Sequence, residues 1–103
     1  MKGFDLDVKL LGPLWPAKTW FKEGFVQIVK ESMDAVYQKE TIVYPTMSGS
    51  GPMWLFTSVL HIPTVSIGVG DAQSRVHSPN ESIDLADYEQ GIKVITELIT
   101  RFR

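Results

Sequence analysis

Residues 63–83 read PTVSIGVGDAQSRVHSPNESI, and the fold turns on how that stretch is taken. Residues 63–67 are rich in β-branched side chains, and a loop punctuated by Gly68 and Gly70 follows, delivering His77 and then Ser78, Pro79, Asn80 and Glu81. Read as a strand that empties into a loop, the stretch sets its histidine beyond a strand's carboxyl end, where open α/β sheets gather ligands. His77 is therefore the first candidate for chemistry.

Upstream, Phe4, Leu6, Val8 and Leu10 alternate with Asp5, Asp7 and Lys9, the period-two pattern of a half-buried strand beginning almost at Met1. Gly12, Pro13 and Pro16 end it. A helix is expected from Thr19 or Phe21 to Gln38, with Phe25, Val29, Met33 and Val36 on its inner face. Residues 41–44 (TIVY) read as a second strand, apolar throughout and so buried on both faces. The turn SGSG at Ser48, Gly49, Ser50 and Gly51 opens a second helix over residues 52–60, with Pro52 suited to its first turn. That helix carries more apolar side chains than one interface needs. His61 and Pro63 close it, and residues 64–67 form the third strand.

Downstream, Asp84 is the expected N-cap of the last helix, whose positions Leu85, Tyr88, Ile92, Ile95, Ile99 and Phe102 step by three and four. A stripe of that size is expected to be buried. The class is α/β: three strands alternating with three helices, as part of a larger sheet, with strands two and three in a right-handed parallel unit.

A chain of 103 residues is one domain at most. Its 44% apolar and 21% charged residues and net charge of −2 give no footprint for nucleic acid or membrane partners. The absence of cysteine excludes disulfides and thiolate zinc sites and accords with a reducing compartment, so a soluble cytoplasmic chain is expected. Trp15, Trp20 and Trp54, with no basic residues interleaved, read as core rather than as ligand platforms.

The sequence contains no HxD pair, no HExxH and no two adjacent acidic residues. No lysine follows Gly51, so SGSG is not a Walker loop, and the strand, GxGxxG and distal acid of a dinucleotide fold are missing too. A glycine-rich turn before a helix is either a tight turn or a place where backbone N–H groups meet a carboxylate or phosphate. Pro79, Asn80 and Glu81 either turn the chain into the last helix or steady the loop behind His77.

SRVHSPNE, with SGSGPM upstream and DYEQGIK downstream, resembles the C-terminal end of the zinc-dependent peptidase and deacylase family that includes succinyl-diaminopimelate desuccinylase, acetylornithine deacetylase, aminoacylase, carnosinase-type dipeptidases and glutamate carboxypeptidase. The resemblance implies a dinuclear zinc hydrolase of peptide or N-acyl amino acid bonds. It implies His77 as a terminal zinc ligand, Ser48, Gly49, Ser50 and Gly51 beside the substrate, and Asn80 and Glu81 behind the ligand. It also implies that the other ligands and the catalytic glutamate lie outside this chain, with no catalytic residue in it. Val76 stands where a small residue is usual, and His61 where glycine is usual. On the same reading residues 1–12 resemble the last strand of a lid domain, 13–20 a connector and 21–103 the end of the catalytic domain.

The competing expectation is a stand-alone, non-catalytic module that oligomerises or binds anions. In either case too few elements exist to cover both faces and edges of a sheet, so self-association is expected, most simply a two-fold dimer with the first strand swung out through GPLWP.

Overall fold

The computed structural model describes residues 3–102. Met1, Lys2 and Arg103, at the outer ends of the expected units 1–12 and 21–103, lie outside the described residues. Two helices dominate: α1, Gly24–Tyr37, and α2, Leu85–Arg101, which pack on one another.

The inner face of α1 is the expected one. Val26 and Val29 are buried, with Phe25, Met33 and Val36 half-buried beside them. Ser32 is fully buried on the same face, and its hydroxyl donates to the Ile28 carbonyl at 2.8 Å, which offsets the cost of burying it. α1 ends at Gln38, which takes the left-handed conformation with φ 52.

α2 begins where its cap predicts: the Asp84 carboxylate accepts from the Ala86 amide at 2.8 Å. Its buried face is not the expected one. Gly91 and Val94 are buried, while Leu85, Tyr88, Ile92, Ile95, Ile99 and Phe102 are 46–77% exposed. At about 100° per residue the two faces lie roughly a quarter-turn apart. The reason is Gly91: a Cβ there would sit 2.7 Å from Val69 Cγ1, so only the bare backbone lets residue 69 press against the helix. The helix is held by the face that permits close approach, and from the more apolar face Phe102, still largely exposed, meets α1, edge-on to Phe25 at 5.8 Å between ring centres.

The α/β expectation is overturned: no strand forms among the described residues, and the architecture is helical with irregular connections. Phe4, Leu6, Val8 and Leu10 are 83–95% exposed, and residues 41–44 and 64–67 join no ladder. Alternation is a property of side chains, whereas a ladder is made by backbone N–H and C=O groups meeting in register, and these three segments make no such bonds among the described residues.

The second expected helix is also cut back. A single turn at Met53 and Trp54 passes into a π-helical turn, Leu55–Val59, closed by the Leu60 amide donating to the Leu55 carbonyl at 3.1 Å. The Thr57 hydroxyl donates to the Met53 carbonyl at 3.3 Å, a back-bond that competes with the α-helical ladder at that residue. His61 follows with φ 55, and Pro63 prevents continuation, as the sequence indicates.

Trp15 and Trp20 are not core: they are 60% and 64% exposed, and Lys18 Nζ stands 4.8 Å from the Trp20 ring centre. One long-range bond ties the connector to the rest, the Thr64 amide donating to Thr19 Oγ1 at 2.9 Å.

Candidate functional site

The loop that carries His77 is built from its ends. The Asp71 carboxylate accepts from the Gln73 amide at 2.8 Å, and the Asp71 amide donates to Ser74 Oγ at 3.0 Å, a capping box around the 3-10 turn Ala72–Ser74. Ser74 is buried, and Gly70 leaves room for it: a Cβ at Gly70 would fall 2.5 Å from its hydroxyl oxygen. The loop then closes through the Ser82 amide, which donates to the Ser74 carbonyl at 3.0 Å.

Within that closure the backbone turns left-handed three times, at Arg75 (φ 53), His77 (φ 61) and Asn80 (φ 59). The Ser78 amide donates to the Arg75 carbonyl at 3.0 Å, making a four-residue turn with His77 in its third position, where a positive φ is the mark of a type II turn. The imidazole is thereby set out at the tip, and His77, Asn80 and Glu81 are all exposed. Neither Asn80 nor Glu81 hydrogen-bonds the imidazole among the described residues.

Ser48, Gly49, Ser50 and Gly51 lie elsewhere, lining an open groove of about 1240 Å³ bounded by α1 and the segments 14–19, 41–51 and 64–68. Val29, Met33, Tyr44 and Met53 supply much of its apolar wall. Met53 folds back so far that a Cβ at Gly51 would meet its sulfur at 2.7 Å. The structure thus groups the SGSG turn with a concave surface and leaves His77 outside that groove.

The charged residues lining the groove are Lys18 and Lys30, and Lys30 is held by a carboxylate behind it. Lys30 Nζ donates to Asp34 Oδ2 at 2.7 Å, and the Thr41 amide donates to Asp34 Oδ1 at 2.6 Å. The Lys30 ammonium, followed by Thr41, holds the Asp34 carboxyl down at about 2, and the same hydrogen bond raises the Lys30 pKa. Among the described residues no three His, Cys, Asp or Glu side chains converge as a metal site. His77 is one donor where a zinc ion requires three or four, so the residues here do not by themselves fit zinc.

Asp71 and Ser74, which fix the shape of the His77 loop, were not singled out from sequence. The signal was present: Asp71 followed three residues later by Ser74, D-x-x-S, has the spacing of a capping box.

Residues 4–101 match the family described as Peptidase family M20/M25/M40. A curated relative, "[LysW]-lysine hydrolase" of Deinococcus radiodurans, is 31% identical over 64 residues, which cover 62% of this chain and 17% of the relative. No solved structure matches. With nearly its whole length matched, the chain belongs to Peptidase family M20/M25/M40.

Proposed function

We propose that this chain is the C-terminal part of a zinc-dependent hydrolase that cleaves a peptide or N-acyl amino acid amide bond. The observation that carries the reading is the family match over residues 4–101, a stretch that includes a closed loop with an exposed histidine at its tip. A relative named "[LysW]-lysine hydrolase" supports a hydrolase role.

In this reading His77 contributes one imidazole to a metal whose remaining ligands come from residues outside these 103. When bound, such a metal supplies a nucleophilic water and polarises the scissile carbonyl. The work of this chain's own residues is positional. Asp71, Ser74 and Ser82 hold the loop, Asn80 and Glu81 stand beside the histidine, and Ser48, Gly49, Ser50 and Gly51 present exposed backbone to the substrate.

The test replaces the matched segment of the Deinococcus relative with this chain and measures metal content together with hydrolysis of N-acyl amino acids and dipeptides. The parent fusion should be active, and His77→Ala should lose most of the activity and part of the metal. Normal turnover with undiminished metal in His77→Ala removes His77 from the ligand set.

A further inference from the structure

We infer that Arg75 determines specificity: its guanidinium binds the carboxylate that stands next to the scissile amide of the substrate. The inference rests on the reading of His77 as a donor at the reacting amide, and adds a second contact from the same loop.

The substrate class sets the requirement. In an N-acyl amino acid or a dipeptide, one nitrogen and one carbon separate the scissile carbonyl from a free carboxylate. A cation that binds this carboxylate must therefore stand within a side chain's length of the groups that act on the carbonyl. Ser48, Gly49, Ser50 and Gly51 line a groove that does not include His77, whereas Arg75 lies on the His77 loop itself. Between Lys39 and Lys93 it is the sole lysine or arginine. The Ser78 amide donates to the Arg75 carbonyl at 3.0 Å and closes a turn over both residues. Two residues apart, their Cα atoms lie within about 7.5 Å, a length that an extended arginine side chain nearly spans.

The guanidinium is open to a ligand. Arg75 is exposed, and no carboxylate pairs with it among the described residues. Of the carboxylates around the loop, Asp71 accepts from the Gln73 amide, Asp84 accepts from the Ala86 amide, and Glu81 is exposed. The chain's other arginine within the described residues, Arg101, is held by Glu31 and Glu97. A guanidinium offers a planar fork of donors that meets a carboxylate through two parallel hydrogen bonds.

The backbone supplies an independent observation. Arg75 caps the 3-10 turn Ala72–Ser74 at φ 53 and ψ 42, in the left-handed region. Glycine or asparagine is the usual occupant of such a cap, because a larger side chain crowds the backbone there. Arginine at this position carries a steric cost that glycine would avoid, with no ion pair inside the chain to offset it. Strain kept without a local return points to a side chain that serves a ligand.

The test uses the fusion in which this chain replaces the matched segment of the Deinococcus relative. N-acetyl amino acids are compared with their carboxamides, which keep the scissile bond and lose the charge, and the best-bound pair is carried forward. The parent fusion should prefer the acid. Arg75→Gly should lower both calorimetric affinity and kcat/KM for the acid by about 10- to 100-fold, the loss expected on removing a charge-assisted hydrogen bond, and leave the carboxamide unchanged. Arg75→Lys should recover part of that loss. Because glycine suits the left-handed cap, metal content and Tm should not fall in Arg75→Gly. His77→Ala, by contrast, should impair acid and carboxamide alike. An unaffected His77→Ala beside an acid-selective loss in Arg75→Gly would overturn the role of His77 and leave that of Arg75. Equal losses on acid and carboxamide, an unchanged affinity for the acid, or a fall in metal content in Arg75→Gly each overturn the proposal. Calorimetry reads the ratio whether or not the fusion turns over, so a parent that binds no acid better than its carboxamide overturns it too.

Discussion

The Asp34 carboxylate accepts the Thr41 amide at 2.6 Å across the left-handed end of α1, while its other oxygen holds Lys30 at 2.7 Å. One side chain thus joins the last turns of the helix to the segment that follows it.

This pairing makes a prediction for acid. The Asp34 carboxyl lies at about 2 against an ordinary 3.8, lowered chiefly by the hydrogen bond from Lys30 and then by Thr41. A folded value below the unfolded one stabilises the fold above pH 3.8, and that contribution is lost as pH falls through about 2. Lys30 works oppositely: with its pKa raised, its contribution is present below 10.5 and fades as pH climbs past it. Asp34→Asn should therefore flatten the acid limb of a plot of Tm against pH. An unchanged acid limb would show that the pair contributes nothing in solution.

The approach of residue 69 to α2 can be tested by filling it. Gly91→Ala gains about 1 kcal/mol of helix propensity but puts a methyl group 2.7 Å from Val69 Cγ1, and overpacking of this kind costs about 1–3 kcal/mol. The clash should win by about 1 kcal/mol, because a β-branched neighbour has little freedom to turn away. Val69→Ala should reverse the sign, and a double-mutant cycle in urea measures the coupling. Equal losses in Gly91→Ala with and without Val69→Ala would mean that the contact is absent.

Val94 is the most buried large side chain, 1% exposed. Val94→Ala should cost about 2 kcal/mol, read as a lower urea midpoint at constant slope. With Val26 and Val29 as the other buried apolar side chains among the described residues, that loss is expected to unfold much of the population at ambient temperature.

For the isolated chain, zinc and chelator should leave the melting curve unchanged, since His77 stands without converging ligands among the described residues. His77→Ala should melt as the parent does in either condition. A zinc-dependent rise in Tm that vanishes in His77→Ala would reveal a metal site completed within the 103 residues.

The elements legible in the sequence are those set by local chemistry. Asp84 announces the start of α2 through its own carboxylate, and Val29, Met33 and Phe25 mark the inner face of α1 by spacing alone. What failed depends on partners. Residues 4–10, 41–44 and 64–67 have strand-like side chains but join no ladder, because side-chain alternation does not bring backbone groups into register. The buried face of α2 was misassigned because hydrophobicity points to Ile92 and Ile95, whereas Gly91, without a side chain, sets the packing. His77 was legible as a loop residue; its left-handed backbone, and the separation of its loop from the groove beside Ser48 and Gly51, were not.

The bond from the Ser82 amide to the Ser74 carbonyl has a consequence for motion. It spans the three left-handed residues Arg75, His77 and Asn80, each in a conformation that a free chain seldom visits. Once that latch parts, little holds those torsions, and they relax together. In hydrogen–deuterium exchange the Ser78 and Ser82 amides should thus be the slow ones between Arg75 and Asp84, sharing one protection factor whose logarithm gives the free energy of opening the whole loop. The histidine at the tip is either fully presented or fully released, as a single cooperative unit.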